Sequence, residues 1–241
     1  MSRQRTSRHA GHVIVRWFAI ALVAMPLLAQ ASPRTVALFN EAMEAVPHPQ
    51  NGAKLYQGYC TQCHGGDAFG DVERSTPSLA GQIEPYVVKQ LVDFTERDRD
   101  APEMHRLMAQ PELGTPQAWR DVAAYVESLR PNPRPQVGRG QNIAYGARSF
   151  KSYCASCHGE AGEGLREAPV PALRGQHYSY LLLQLQGFDN DRRKNVAGPL
   201  VEHMVGLSRE MMEAIADYLS RLPNPPREES ASARDVRVPT A

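Results

Sequence analysis

The chain carries the pattern C-x-x-C-H twice, as Cys60-Thr61-Gln62-Cys63-His64 and, 94 residues later, as Cys154-Ala155-Ser156-Cys157-His158. A glycine follows each copy, and together the two copies use all four cysteines. C-x-x-C-H is the attachment signal for c-type haem. The two cysteines can form thioethers to the haem vinyl groups, and the histidine can coordinate the iron. The pattern therefore predicts two covalently bound haem c groups, with His64 and His158 as proximal iron ligands.

Three other uses of paired cysteines fit this pattern less well. A disulfide within C-x-x-C closes so short a loop that it constrains little chain entropy. A thioredoxin-like pair needs a βαβ setting, which the sequence does not suggest. A four-cysteine zinc site needs no histidine after each pair, and it would have to bring together two cysteine pairs that lie 94 residues apart in sequence. We expect no metal beyond haem iron.

The N-terminus has the features of an export signal. Arg3, Arg5 and Arg8 precede an apolar run from Trp17 to Leu28, and Ala29-Gln30-Ala31 matches an A-x-A cleavage site. The run is shorter than the roughly 20 residues that a transmembrane helix needs. We predict a signal peptide over 1–31, a mature chain from Ser32 and a periplasmic location. An uncleaved membrane anchor is the alternative.

Removal of residues 1–31 changes the charge of the protein. The full chain has 27 basic and 26 acidic residues, and the segment 1–31 contains four arginines and no acid. The mature chain therefore has 23 basic and 26 acidic residues, a net charge of −3 before haem propionates are added. Without a strongly basic patch, a nucleic-acid partner is not expected.

The two motifs lie in a longer repeat. Pro77-Ser78-Leu79-Ala80-Gly81-Gln82 matches Pro171-Ala172-Leu173-Arg174-Gly175-Gln176, and Tyr86, Gln90, Leu91 and Phe94 match Tyr180, Gln184, Leu185 and Phe188. The chain is thus a duplicated domain. We predict a first domain over 32–130, a proline-rich linker over 131–140, a second domain over 141–224 and a disordered tail over 225–241. The prolines make the linker extended and fairly stiff.

Each copy has the periodicity of helices, and strand alternation is absent. Thr115-Pro116 has the form of a helix start, with a stripe of Trp119, Val122, Ala123, Val126 and Leu129 behind it. Ser208 caps the equivalent helix, in which Met211 and Met212 fit core packing. The predicted fold class is all-α. Because domains of about 90 residues are marginal on their own core, we expect the haem to be part of that core.

The sixth iron ligand has several candidates. In the first half these are Met104, His105 and Met108, and in the second half His203 and Met204. Met108 lies seven residues before Thr115 in a predicted loop, and it is favoured. Met204 is favoured in the second half, although only three residues separate it from Ser208. His177 is predicted to be a surface or capping residue.

The chain resembles the di-haem class I c-type cytochromes, most closely the cytochrome c4 family, over essentially all of 45–224. The resemblance rests on the two C-x-x-C-H-G motifs, the P-x-L-x-G-Q segments and the tyrosine of the last helix in each half. It implies two small helical cytochrome c domains. It also implies that Pro77 and Pro171 orient the proximal histidines through their carbonyls, and that methionine is the distal ligand, which supports Met108 and Met204.

Two functions follow from these expectations. The resemblance implies a periplasmic electron carrier, soluble or at the membrane surface, that is not an enzyme and passes electrons among quinol-oxidising complexes, terminal oxidases or reductases. The alternative is a di-haem redox enzyme or a ligand-binding haem protein in which the second iron is open. Saturation of both irons by histidine and methionine would favour the carrier. No cysteine remains to serve as an iron ligand, as one class of sulfur-oxidising di-haem enzymes requires.

Overall fold

The structure is a computed structural model that describes residues 32–190, 192, 193, 195 and 206–224. Within these residues the regular structure is helical, and the β-type contacts are two isolated bridges, Asp71 with Thr76 and Leu165 with Val170. The predicted all-α class is confirmed. The predicted signal 1–31, the tail 225–241 and the candidates His203 and Met204 lie outside the described residues.

The helices repeat from one half of the chain to the other. The first half contains α1 (Pro33–Glu44), α2 (Pro49–Tyr59), α3 (Thr61–His64), α4 (Glu84–Thr95), α5 (Pro102–Met108) and α6 (Pro116–Ser128). The second half contains α7 (Ile143–Tyr153), α8 (Ala155–His158), α9 (Tyr178–Asp189) and α10 (Arg209–Arg221). Thus α2, α3, α4 and α6 correspond to α7, α8, α9 and α10.

Helix α1 was not expected from the repeat. Ser32 is its N-cap, and the Ser32 hydroxyl accepts a hydrogen bond from the amide of Thr35. Pro33 occupies the first turn, where a missing N–H costs nothing. The helix packs against α4 and α6 and buries Ala42 completely. Leu38, Phe39 and Met43 pack against the same core as Ala42. The helix has no counterpart in the repeat, which explains why it was not predicted.

The predicted helix starts at Thr115 and Ser208 are confirmed. The Thr115 hydroxyl accepts from the amide of Ala118, and the Ser208 hydroxyl accepts from that of Met211. These bonds satisfy amides that would otherwise lack a partner at the helix N-terminus. The apolar stripes of α6 and α10 face inward, and Trp119 and Met212 are buried there.

Each half is built on one close helix crossing. A Cβ atom on Gly52 of α2 would lie 2.0 Å from the carbonyl oxygen of Asp121 in α6, and a Cβ atom on Gly146 of α7 would lie 2.0 Å from that of Ala214 in α10. Only glycine permits backbones to approach so closely. Beside each crossing a pair of aromatic rings packs at a tilt: Tyr56 with Tyr125, and Phe150 with Tyr218.

The proline-rich segment 131–140 bonds to both halves rather than only separating them. The Pro131 ring lies over Gly81 of the first half, and Asn132 is buried. The carbonyl of Gln136 accepts from the amide of Tyr178 at the start of α9. The linker is therefore part of the packed structure.

Candidate haem-binding sites

The C-x-x-C-H motifs form one tight turn of helix in each half. The amide of His64 donates to the carbonyl of Cys60 at 2.9 Å, and that of His158 donates to the carbonyl of Cys154 at 3.0 Å. The glycine after each histidine has a positive φ, 78° at Gly65 and 81° at Gly159, which ends the turn. This explains the glycine in both copies of the motif. Two cysteines and one histidine are thereby held on a single short helix.

The two cysteines of each motif differ in their exposure. Cys63 and Cys157 are exposed, whereas Cys60 and Cys154 are half-buried. Burial raises the pKa of the Cys60 thiol to about 12 and that of Cys154 to about 11. A redox-active cysteine needs a lowered pKa, so these environments disfavour thiol–disulfide chemistry. Among the described residues, which include all four cysteines, no cluster of ligands could hold a zinc ion.

The proximal histidines are oriented as an iron ligand requires. His64 Nδ1 lies 3.1 Å from the carbonyl oxygen of Pro77, and His158 Nδ1 lies 3.0 Å from that of Pro171. A carbonyl can only accept, so Nδ1 carries the proton and Nε2 keeps its lone pair. Nε2 forms no hydrogen bond within the described residues. Burial lowers the pKa of both imidazoles against the opposing effect of the proline carbonyl, which favours the neutral ring that a metal needs. These residues fit covalently attached haem.

All three distal candidates of the first half lie on α5. Met108 is 4% exposed and belongs to the core, whereas Met104 is half-buried at its edge. His105 Nε2 lies 2.8 Å from the carbonyl of Arg99, so its ring is already engaged. The prediction that Met108 lies in a loop is wrong, because Met108 is the last residue of a short helix that begins at Pro102. The proline favours this start since it fixes φ near helical values.

The surface position predicted for His177 is wrong. The alternative, a capping position, is correct, since His177 is the N-cap residue of α9, although its side chain makes no capping hydrogen bond. This residue is 5% exposed and lies between the two halves of the chain. Its Nε2 lies 2.7 Å from the carbonyl of Phe69, and its Nδ1 accepts from the amide of Gln136 at 3.0 Å. His177 thus connects the first domain, the linker and the start of α9. Nothing in its sequence context could have shown this, because Phe69 is 108 residues away.

The two halves meet through a reciprocal exchange of glutamines. Gln82 donates to the carbonyl of Ala172 and accepts from its amide, both at 2.9 Å. Gln176, the residue equivalent to Gln82, bonds in the same way to the carbonyl and amide of Ser78, at 2.8 and 2.9 Å. Because Ser78 follows Pro77 and Ala172 follows Pro171, each proximal histidine is oriented by a residue adjacent to this interface.

The fold and these two sites define a c-type cytochrome with two haem-binding domains. The family model described as Cytochrome c matches residues 49–130 and again 143–223. The chain is 32% identical to cytochrome c4 of Pseudomonas aeruginosa, over 68% of the chain and 83% of that protein. It is 31% identical to the thiosulfate dehydrogenase electron acceptor of Stutzerimonas stutzeri, over 73% of the chain and 84% of that protein.

A solved structure agrees with these relatives. The reduced recombinant cytochrome c4 from Pseudomonas stutzeri superimposes with a TM-score of 0.66 at 26% identity, covering 73% of the chain and all of that structure. The chain belongs to the cytochrome c family, as a di-haem class I cytochrome of the cytochrome c4 type. It carries two covalently bound haem c groups and functions in electron transfer rather than as an enzyme.

Proposed function

We propose that the protein is a periplasmic electron carrier whose two haem irons each cycle one electron between respiratory redox partners. The observation that carries this proposal is the placement of the two sites. Each proximal histidine is held by a proline carbonyl, and the residue after that proline bonds to the other domain. Such an arrangement suits the transfer of electrons from one haem to the other inside a single packed unit.

The chain's residues have separate roles in this proposal. Cys60 and Cys63 hold the first haem, and Cys154 and Cys157 hold the second. His64 and His158 are the proximal ligands, with Met108 as the first distal ligand and Met204 as the second, the latter on sequence alone. When bound, haem supplies a reversible one-electron couple whose potential methionine ligation raises.

The proline carbonyls do more than orient the rings. Each accepts a hydrogen bond from the Nδ1–H group, which raises the basicity of the imidazole and would strengthen its bond to haem iron. Both histidines donate this bond at nearly equal length, so the proximal hydrogen bond is the same at the two sites. We expect the distal sides to contribute most of any difference in potential between the two haems.

A second function, a haem protein with one open iron, is favoured by the short spacing between Met204 and Ser208. If Met204 does not reach the iron, the second haem would bind small ligands such as carbon monoxide. The buried position of Met108 supports a sixth ligand on the iron of the first haem only. The two functions therefore differ at the second haem.

The N-terminal sequence supports the proposed location, and the similar proteins support the proposed partners. The basic start, apolar run and A-x-A site of residues 1–31 support export. Among the described residues, no helix has the length and hydropathy needed to cross a bilayer. One similar protein is named as an electron acceptor of thiosulfate dehydrogenase, so a dehydrogenase is one class of donor, beside quinol-oxidising complexes. Terminal oxidases or periplasmic reductases are the proposed acceptors.

Charge is distributed unevenly between the domains. Residues 32–130 contain nine basic and fourteen acidic residues, whereas residues 141–224 contain nine of each. Opposite charges steer protein encounters, and salt weakens this steering. We infer that the first domain is the docking side for a partner with a basic surface.

One kinetic experiment tests both the electron-carrier function and the proposed docking side. The fully reduced protein is mixed in a stopped-flow instrument with a small basic single-haem cytochrome as acceptor, at low and high ionic strength, with and without carbon monoxide. We expect two electrons delivered per chain, a rate about tenfold slower in high salt, and no effect of carbon monoxide. Delivery of one electron, or inhibition by carbon monoxide, would favour the open second haem. A rate that ignores salt would refute the docking side.

A further inference from the structure

Each proximal histidine is followed by a loop that returns to it. In the first half, the amide of Gly70 donates to the carbonyl oxygen of His64 at 2.9 Å, and the carbonyl of Ala68 accepts from the amide of Leu79 at 2.8 Å. Leu79 lies two residues after Pro77, whose carbonyl oxygen lies 3.1 Å from His64 Nδ1. These two backbone bonds therefore hold both the main chain of the proximal histidine and the segment that orients its ring.

The second half repeats these bonds with one difference in residue type. The amide of Gly164 donates to the carbonyl oxygen of His158 at 2.8 Å, and the carbonyl of Gly162 accepts from the amide of Leu173 at 2.8 Å. Gly162 is thus the equivalent of Ala68, and both have a positive φ, of 65° and 60°. A left-handed backbone suits glycine but strains alanine. The loop of the first half therefore carries strain that the loop of the second half avoids.

A residue of the second domain fastens the strained loop. Phe69 lies between Ala68 and Gly70, and its carbonyl oxygen lies 2.7 Å from His177 Nε2. Nδ1 of the same ring lies 3.0 Å from the amide nitrogen of Gln136 in the linker. Because a carbonyl only accepts and an amide N–H only donates, the neutral ring with its proton on Nε2 satisfies both partners. The buried imidazole thus ties the loop of the first domain to two segments outside that domain.

The first domain does not return this contact to the second. In the repeat, the position equivalent to His177 is occupied by Ile83, which is 4% exposed. The isoleucine side chain has no hydrogen-bond donor, so it cannot bind the carbonyl of Glu163, the equivalent of Phe69. The two loops therefore have matching internal bonds but differ in how the opposite domain holds them.

We propose that His177 is a positioning residue for the first haem, acting across the domain interface through the loop that orients His64. This inference rests on the proposed attachment of one haem in each domain. Without the bond from His177, the strained backbone at Ala68 can relax, and the hydrogen bond from His64 Nδ1 to the Pro77 carbonyl weakens. A weaker bond makes the imidazole less basic, which disfavours ferric iron. Loss of His177 should therefore raise the potential of the first haem and leave that of the second unchanged.

A redox titration of the holoprotein tests this proposal. His177→Leu removes both hydrogen bonds but keeps an apolar side chain in the interface. We expect one of the two midpoint potentials to rise by about a threefold change in the reduction equilibrium, which is about 28 mV for one electron. The other potential should stay unchanged. His177→Gln keeps a donor and an acceptor and should shift the potential less than half as far. The matched control is Ile83→Val, which changes only packing at the equivalent position and should shift neither potential.

A second readout identifies which haem responds. In NMR spectra of the reduced protein, the Nδ1–H resonances of His64 and His158 report their bonds to the two proline carbonyls. We expect His177→Leu to move the resonance of His64 and to leave that of His158 in place.

Two outcomes would overturn the proposal. Equal shifts at both haems in His177→Leu would mean a general loosening of the interface, and unchanged potentials would mean that His177 has only a structural role, even if stability falls. Haemochrome analysis of the wild type separates these outcomes from failure of the proposed function. Fewer than two haems per chain would refute the proposed attachment, whereas two haems with unchanged potentials in His177→Leu would refute the role of His177 alone.

Discussion

Met108→Ala is expected to open the iron of the first domain to external ligands. Met108 is buried at the end of α5, and its thioether is the proposed distal ligand. Its loss should let the reduced protein bind one carbon monoxide per chain. It should also remove the far-red band of methionine-bound ferric iron from one haem. The potential of that haem should fall by on the order of 100 mV, part of the roughly 0.8 V range that axial ligands cover.

Two control variants separate ligation from packing. Met212→Ala removes a methionine that is 3% exposed in the core of the second domain and should cost a similar amount of stability, about 2–5 kcal/mol, without carbon monoxide binding. Met104→Ala removes the half-buried neighbour on α5 and should leave both haems closed. If Met104→Ala opens the iron and Met108→Ala does not, the ligand assignment on α5 is reversed.

Gly52→Ala is expected to have the largest effect on folding. The new methyl group would lie 2.0 Å from the Asp121 carbonyl oxygen and 3.0 Å from the Tyr125 Cβ, so α2 and α6 must separate. Backbone atoms cannot move aside as side chains do, and we expect the free energy of unfolding of the first domain to fall by about 3 kcal/mol. Chemical denaturation followed by the haem absorbance of the first domain measures this change.

The same helix offers a matched control. Gly58 also lies in α2, but a Cβ atom there would meet nothing within 4 Å. Gly58→Ala should therefore stabilise the helix by about 0.5–1 kcal/mol, because alanine loses less backbone entropy on folding. Gly146→Ala should lower the free energy of unfolding of the second domain as Gly52→Ala does in the first, since its Cβ would lie 2.0 Å from the Ala214 carbonyl oxygen. Equal stability of Gly52→Ala and Gly58→Ala would contradict the close crossing.

Local chemistry made much of the molecule predictable. The C-x-x-C-H motifs, the caps Thr115 and Ser208 and the stripe of α6 each depend on residues within a few positions of one another. The repeat then extended each local prediction from one half to the other. Helix α1 was missed because it has no counterpart in the repeat, although Leu38, Phe39 and Met43 lie at helical spacing and pack against the core.

The domain interface could not be predicted because its partners are far apart in sequence. Gln82 reaches Ala172 across 90 residues, and Arg99 reaches Tyr180 across 81. His177 shows the consequence most clearly, since a polar residue at a helix start is typical of a surface position and here it is buried between domains. The repeat held one clue, because Tyr86 and Gln90 of α4 recur as Tyr180 and Gln184 at the equivalent positions of α9.

The mass of the purified, denatured protein tests the central claim most directly. Denaturation removes any haem that is not covalently bound, so the mass counts thioether-linked groups. We predict the mass of residues 32–241 plus two haem groups, which would support export and double attachment together. A chain that carries one haem or none would contradict the account of two covalent haem sites, and a chain that keeps residues 1–31 would contradict the predicted cleavage.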